Sequence, residues 1–438
     1  MISIPQGPAL RVLTAPRALA GSAPFLAELA GDSTLVWAHH ERGMLGFGEA
    51  TRALASGPTR FASLSAWFSE LAQNAQVTDV VGQPGTGLSA FASFGFSRAS
   101  SFDSRLVVPE IQLGRNADGA WITWATADPA VQLSAEGAEA RLAELVADSV
   151  ESHGARATAV RPGRITEEGF QASVHAGVAR IRAGEVEKIV LARDAVVQLD
   201  GPTPVADTLR ELSVRYVDCW TYGVDGLIGA TPEMLIQVLD GTARARVLAG
   251  TLDRAAGATA GDDAATASLV ADAKQRREHQ FAIDSFTEAL GPLVSSLEAP
   301  NEPFVLQLPN VWHLASDVRA CLAPRPDGGT PGALDLLEIV HPTAAVCGTP
   351  RTRAGEIIRE LEAVDRGAYA GPVGWVDAAG NGEFGIALRG GMVERGPDGA
   401  DAVRLWAGCG IVADSEAPAE LAETWAKMRP MLQALGAP

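Results

Sequence analysis

The chain has 438 residues, 47% of them hydrophobic and 20% charged, and 35 Lys+Arg against 53 Asp+Glu leave a formal net charge of −18. Such a composition is globular rather than disordered, and the length allows two or three domains or one large one with its own core. The acidity argues against nucleic acid or an anionic membrane as the main partner, while leaving room for a locally basic site that takes a small anion.

Cys219, Cys321, Cys347 and Cys409 are widely spaced and form no CxxC pair, so neither a zinc site nor a disulfide framework is expected. The opening MISIPQGPAL has no charged leader before an apolar core, and no apolar run approaches the length of a membrane span. These features fit a cytoplasmic, reducing location.

In chain order, the first elements are β-like. TLVWA and MLGFG lie between Ser33 and Ala50, and RLVVPEIQL and AWITWAT flank the turn GRNADG. Ala135 to His153 reads as a helix, and the Gly/Pro-containing stretch 156–166 is the best candidate boundary. Next come an amphipathic helix, Glu167 to Ala183, and a strand, Val186 to Leu199. GLIGATPEMLIQVLD then turns through Asp240-Gly241 into TARARVLAGT, a hairpin. A long helix is expected from about Ala264 to Ala289, followed by the strand-like EPFVLQLPNVWHLASDVRACL and a Pro/Gly-rich loop, 323–332. The last hundred residues alternate the strands AGPVGWVDA, GEFGIALRGGMVE and AVRLWAGCGIV with the helices Arg353–Val364 and Ala417–Leu435. Long helices among antiparallel hairpins predict an α+β fold.

Several residues invite chemistry. Lys188 opens a strand beside Ile189, Val190 and Leu191. It either reaches solvent or is desolvated enough to serve as a base. Glu233 follows a Thr-Pro turn and precedes an apolar strand, as a solvated turn carboxylate or as an acid that burial keeps protonated. Glu278 shares a helical stripe with Ala271, Ala282 and Ala289, which should face inward. A carboxylate there needs a partner: Arg276 or Arg277, or a metal. Glu420, Glu423, Thr424 and Lys427 share one face of the last helix, apart from the core stripe Leu421, Trp425, Met428 and Leu432. That face is either solvated, with a Glu423–Lys427 pair, or lines a cavity. In the second case its carboxylates and Glu278 could share a magnesium ion. Glycines in AGCGIVADS and YAGPVGW serve close strand packing or present N–H groups to a carboxylate.

In their order, the blocks EKIVLAR, GATPEMLI, LAGT, REHQFAID, NVWHLASDV, HPTAAVCGTPR, DRGAYAGPVGWVDAAGNGEFGIALRGG and AGCGIVADSEAPAELAETWAKM resemble those of the chorismate-utilising enzymes. The resemblance covers roughly residues 165–435 as a catalytic region. Residues 1–160 are then the variable N-terminal part of the same fold. It implies one large α+β unit of extended antiparallel sheets with outer helices and a central cleft for chorismate and Mg²⁺. Lys188 matches the lysine that activates water, and Glu233 matches the general acid for the leaving C4 hydroxyl. Glu278 and Glu423 match magnesium ligands, with Glu420 as a supporting acid. Arg389, Lys427, Tyr369 and the backbone near Gly408 match holders of the substrate carboxylates, and His313 matches a histidine lining the ring site.

Ammonia-using members, the anthranilate and aminodeoxychorismate synthases, typically carry a Gly-Thr pair where this chain has Ala344 and Ala345. The alanines resemble isochorismate synthases, whose product feeds menaquinone and siderophore synthesis. Ala345 leans against the salicylate synthases, which tend to have Thr there and also eliminate pyruvate. A glutaminase partner is not expected, and a monomer is. Ala368, in place of an aromatic residue, and Cys347, in place of a small hydroxyl residue, depart from the family pattern.

Overall fold

The computed structural model describes residues 4, 6–18, 24–29, 35–148, 154–253, 267, 269–300, 302–307, 311–325 and 328–437. Among these the strands form two sheets, of thirteen and ten strands. One edge of the larger sheet runs Ala157–Pro162, Lys188–Leu199, Ala402–Ile411, Gly390–Glu394, Leu227–Thr231, Trp220–Val224. It continues into strands from the first third of the chain, starting with Leu35–His39 and Arg42–Phe47. The smaller sheet joins Thr242–Asp253, Met234–Leu239, Gly382–Ile386 and Pro372–Asp377 to Ser89–Ser93 and Ser104–Val108. Pairing is antiparallel except where Arg11–Arg17 meets Gln76–Asp79. The α+β expectation holds.

The sheets face each other across a core holding Trp37, Trp121 and Tyr222 from the larger and Phe91, Val373 and Trp375 from the smaller. Their outer faces carry helices. Ala135–Asp148, Val205–Arg215 and Ala417–Ala434 bury Leu142, Leu209 and Met428 against the larger sheet. Arg60–Asn74, Ala273–Leu290 and Ala333–Val340 bury Leu64, Phe286 and Leu337 against the smaller. Alternating strands bury residues on both faces, which is why the apolar fraction is high. Among the described residues, no helix is long and apolar enough to cross a membrane.

Local signals account for several boundaries. Thr166 caps the helix Glu167–Arg182, its hydroxyl accepting from Gly169 N–H at 3.1 Å. Two glutamates sit in the first turn and two arginines in the last, as the helix dipole favours. Asp240 and Gly241 have φ of 48° and 73°, so the hairpin turns through two left-handed residues, which suits the twist of its strands.

Four readings change. GLIGATPEMLIQVLD is two strands, Leu227–Thr231 in the larger sheet and Met234–Leu239 in the smaller. GEFGIALRGGMVE likewise splits into Gly382–Ile386 and Gly390–Glu394, one in each sheet. The stretch 156–166 carries the strand Ala157–Pro162, paired with Lys188–Leu199. The described helix begins at Ala273, where the Asp272 carboxylate accepts from Gln275 N–H at 3.1 Å. Of the earlier part of the expected helix, residues 267 and 269–271 are also helical and Asp272 interrupts it, while 264–266 and 268 lie outside the described residues. Its inward face is Ala282, Ile283 and Phe286, whereas Ala271 is exposed.

Candidate active site

The two split hairpins build the site. The chain crosses from the larger sheet to the smaller at Pro232–Glu233 and back again at Ala387–Arg389. The crossings lie side by side: Ile386 N–H donates to Glu233 O at 3.1 Å, and Ala230 N–H to Arg389 O at 3.4 Å. A proline supplies no donor and suits such a break. Arg389 has φ 52°, a left-handed conformation uncommon for a residue with Cβ, and this aims it differently from a strand residue.

Both crossings open into one cleft with about 970 Å³ between its walls, counting solvent at the mouth. Lys188, Glu233, His313, Ala345, Tyr369, Arg389, Gly408, Glu420, Glu423 and Lys427 all line it. Ten of the eleven residues singled out from sequence therefore meet in one place, from eight separate segments. Glu278 is on the helix Ala273–Leu290, but its side chain lies outside the described residues. Gln275, one turn earlier on that helix, lines the cleft.

Lys188 and Glu233 are each 6% exposed, so neither is the solvent-facing group that its local sequence allowed. Burial pushes the Glu233 carboxyl up to about 8, against the opposing pull of Lys188, Lys427 and Arg389. A carboxylic acid at this position thus keeps its proton at neutral pH, facing cations that a carboxylate would otherwise pair with.

The last helix supplies the polar wall. Thr424 is buried and accepts from Arg193 Nε at 2.7 Å, which turns Glu420, Glu423 and Lys427 to the cleft. Lys427 Nζ lies 2.6 Å from Glu423 Oε1 and donates to Gly408 O at 2.8 Å. The pair expected of a solvated face therefore exists, but on a face that lines a cavity. Burial works to raise Glu423, yet Lys427, Arg389 and Lys188 hold it below the usual carboxylate range. Burial raises Glu420, and the charge of Glu423 adds to the effect. Two carboxylates in one wall suit a hard cation bound by few protein oxygens, several waters and an anionic ligand. Among the described residues, no three His, Cys, Asp or Glu side chains form a complete metal cage.

Opposite this wall, Tyr369 stacks on Trp406 with ring centroids 5.7 Å apart. Burial pushes the Tyr369 hydroxyl up, so it stays a neutral donor. Gly408 admits it closely, for a Cβ there would sit 3.2 Å from Tyr369 Oη and 2.8 Å from Leu191 O. Arg389 Nη2 lies 3.5 Å from His313 Nε2. Burial pulls the Arg389 guanidinium down, though it remains cationic at any physiological pH.

Trp406, Val190, Gly410 and Leu388 also line the cleft and were not picked out from sequence. Strand alternation could have found three of them. Val190 is two residues from Lys188, and Trp406 and Gly410 flank Gly408 by two.

Cations, backbone groups and a protonated acid around one cleft between laminated sheets mark an enzyme for a small anionic substrate. Comparison with known families makes this specific: residues 21–436 match the family described as chorismate binding enzyme, and the chain belongs to that family. It is 30% identical over 362 residues to the isochorismate synthase MenF of Bacillus subtilis, covering 79% of this chain and 74% of that protein. It is 38% identical over 273 residues to the salicylate biosynthesis isochorismate synthase of Pseudomonas aeruginosa, 61% of this chain and 55% of that one. The fold matches the menaquinone-specific isochorismate synthase MenF of Escherichia coli with TM-score 0.76 and 23% identity, over 99% and 96% of the two chains.

Proposed function

We propose that this enzyme is an isochorismate synthase, converting chorismate to isochorismate reversibly with Mg²⁺. The observation that carries the reading is the pairing, in one cleft, of buried Lys188 with a Glu233 whose carboxyl holds its proton to about pH 8. Binding alone needs no acid facing a base.

Lys188 takes a proton from water as its oxygen bonds to C2 of the ring. The double bond shifts, the C4–O bond breaks, and Glu233 gives its proton to the departing hydroxyl. One water enters and one leaves, and transfer of a proton from Lys188 to Glu233 through solvent resets the pair. Arg389 and Lys427 offset the dianionic charge of the substrate, and the Tyr369 hydroxyl can donate to a carboxylate. Glu423 and Glu278, supported by Glu420, would hold Mg²⁺, which when bound neutralises one carboxylate and polarises the ring.

Two features favour water over ammonia and isomerisation over elimination. Ala345 in the cleft wall brings no hydroxyl to the ring, and the relatives from Bacillus subtilis and Pseudomonas aeruginosa are named as isochorismate synthases. The second reading is a salicylate synthase. Incubation with chorismate and Mg²⁺ followed by product separation tests both. Isochorismate alone is expected, and salicylate with pyruvate would replace the assignment by the lyase. Lys188→Ala should lose turnover while still binding Mg²⁺, and normal turnover would remove Lys188 as the base.

A further inference from the structure

The loop 341–347 separates two cavities. Ala345 and Val346 face the cleft, while His341, Pro342 and Cys347 line a second cavity of about 1110 Å³, counting its mouth. Four arginines line this second cavity: Arg60, Arg98, Arg351 and Arg359. Two glutamates, Glu338 and Glu356, accompany them, and Glu356 is already paired with Arg353 at 2.9 Å. Such a concentration of positive charge is anomalous in a chain of net charge −18.

The buried end of the cavity is polar and incompletely bonded. Arg60 is 2% exposed and makes no direct ion pair among the described residues, although it feels the charge of Glu338. It donates only to the carbonyls of Gly95, Gly57 and Phe96, at 3.1, 3.2 and 3.4 Å. A guanidinium has five N–H donors, so two are left over by these bonds. His341 is 4% exposed, and its Nε2 lies 3.2 Å from Phe96 O. A carbonyl only accepts, so Nε2 carries the ring proton and Nδ1 presents a lone pair. That Nδ1 is buried without a hydrogen-bond partner. Burial, with Arg60 and Arg351 nearby, pulls the imidazole down to about 3, so protonation does not satisfy it.

A ligand for this cavity therefore needs negative oxygens for the guanidinium groups and a hydrogen to donate to Nδ1. We propose that the cavity binds a phosphate group, with its oxygens on Arg60 and the rim arginines and its P–OH donating to His341 Nδ1. Phosphate at neutral pH retains such a hydroxyl. Sulfate has similar size and charge and none.

The test is calorimetric titration of the full chain at pH 7 without Mg²⁺, using inorganic phosphate, glycerol phosphate and sulfate. Phosphate should saturate and bind roughly tenfold or more tightly than sulfate. Equal binding of the two, or no saturation by phosphate, overturns the proposal. Glycerol phosphate, mostly a dianion without a P–OH at pH 7, should bind more weakly than phosphate, and equally tight binding would overturn the P–OH contact. The double variant Arg98→Ala/Arg359→Ala changes two exposed residues outside the cleft. It should lose phosphate binding roughly tenfold with an unchanged KM for chorismate. Undiminished phosphate binding in it would place the anion elsewhere. His341→Phe should erase the preference for phosphate over sulfate, and should that variant fail to fold, the arginine pair decides the matter.

Discussion

Lys427 donates to the carbonyl of Gly408 at 2.8 Å, pinning a cation of the last helix over a strand of the larger sheet. The same ammonium holds Glu423 at 2.6 Å. In the proposed reading, one side chain would thus offer positive charge to an anionic substrate and fix the position of a carboxylate assigned to the metal. Lys427→Met removes the charge and leaves a carbonyl and a carboxylate short of a partner, a loss of about 1–3 kcal/mol. We expect KM for chorismate to rise roughly 10- to 100-fold, with the thermal midpoint within a few degrees of the parent. Steady-state kinetics over a wide chorismate range checks this, and an unchanged KM would take Lys427 out of the substrate site.

Glu233 makes two pH predictions with definite signs. Its carboxyl titrates at about 8 in the folded chain, against 4.5 for an ordinary glutamate. As general acid it must be protonated, so turnover of chorismate should fall as pH rises through about 8. The unfolded chain ionises this group above 4.5, whereas the folded chain holds the proton to about 8. Its contribution to stability is therefore complete below 4.5 and is lost as pH rises through 8. Glu233→Gln should reduce kcat by roughly 10²–10⁴-fold. The same variant should flatten the decline of the melting midpoint between pH 5 and 8. A kcat loss with an unaltered pH–stability slope would mean that Glu233 is already ionised at neutral pH.

The set of residues that line the cleft was more legible in the sequence than the architecture that brings them together. Lys188 and Glu233 are each a charge at the mouth of an apolar strand, ambiguous taken singly, and the family resemblance singled them out. The helical face of Glu420, Glu423 and Lys427 followed from spacing alone. What the pattern could not show is that Thr231 and Met234, three residues apart, belong to different sheets. Both halves of GLIGATPEMLIQVLD are apolar on both faces, so alternation carries no mark of the crossing. The helix Arg60–Asn74 was missed for a related reason. Its buried Phe61, Leu64, Trp67, Phe68 and Leu71 are spaced with serines and alanines that give little contrast.

Glu423→Gln tests the metal assignment. An amide retains a neutral oxygen but loses the charge that a hard cation requires, and Mg²⁺ binds through only one or two carboxylates. The Mg²⁺ concentration for half-maximal activity should rise at least tenfold, and saturating Mg²⁺ should restore part of the rate. Glu420→Gln should have a smaller effect, because burial and the neighbouring Glu423 already disfavour its ionised form. If Glu423→Gln leaves the Mg²⁺ requirement unchanged, the carboxylate serves only to hold Lys427.

The buried pair Glu362–Arg366 holds the walls of the cleft in register without touching it. The two side chains are 2% and 3% exposed, and Arg366 grips both carboxylate oxygens, Nε at 2.8 Å and Nη2 at 2.5 Å. The guanidinium also donates to Val190 O at 2.7 Å and Val346 O at 3.2 Å, while Glu362 accepts from Ala192 N–H at 2.8 Å. Val190 and Val346 flank the cleft beside Lys188 and Ala345. Removing one member strands the other as a buried charge, so Glu362→Leu or Arg366→Met alone should destabilise by about 3–5 kcal/mol. The double variant should recover much of that loss, because two apolar side chains replace two desolvated ions and the single effects are not additive. Activity should not recover with it. The bonds to Val190 and Val346 are gone in the double variant, and a small misplacement of Lys188 is costly to the reaction. Urea midpoints for the four members of the cycle, set beside their kcat/KM values, separate the two effects. A double variant restored in both stability and rate would show that the pair only fills space.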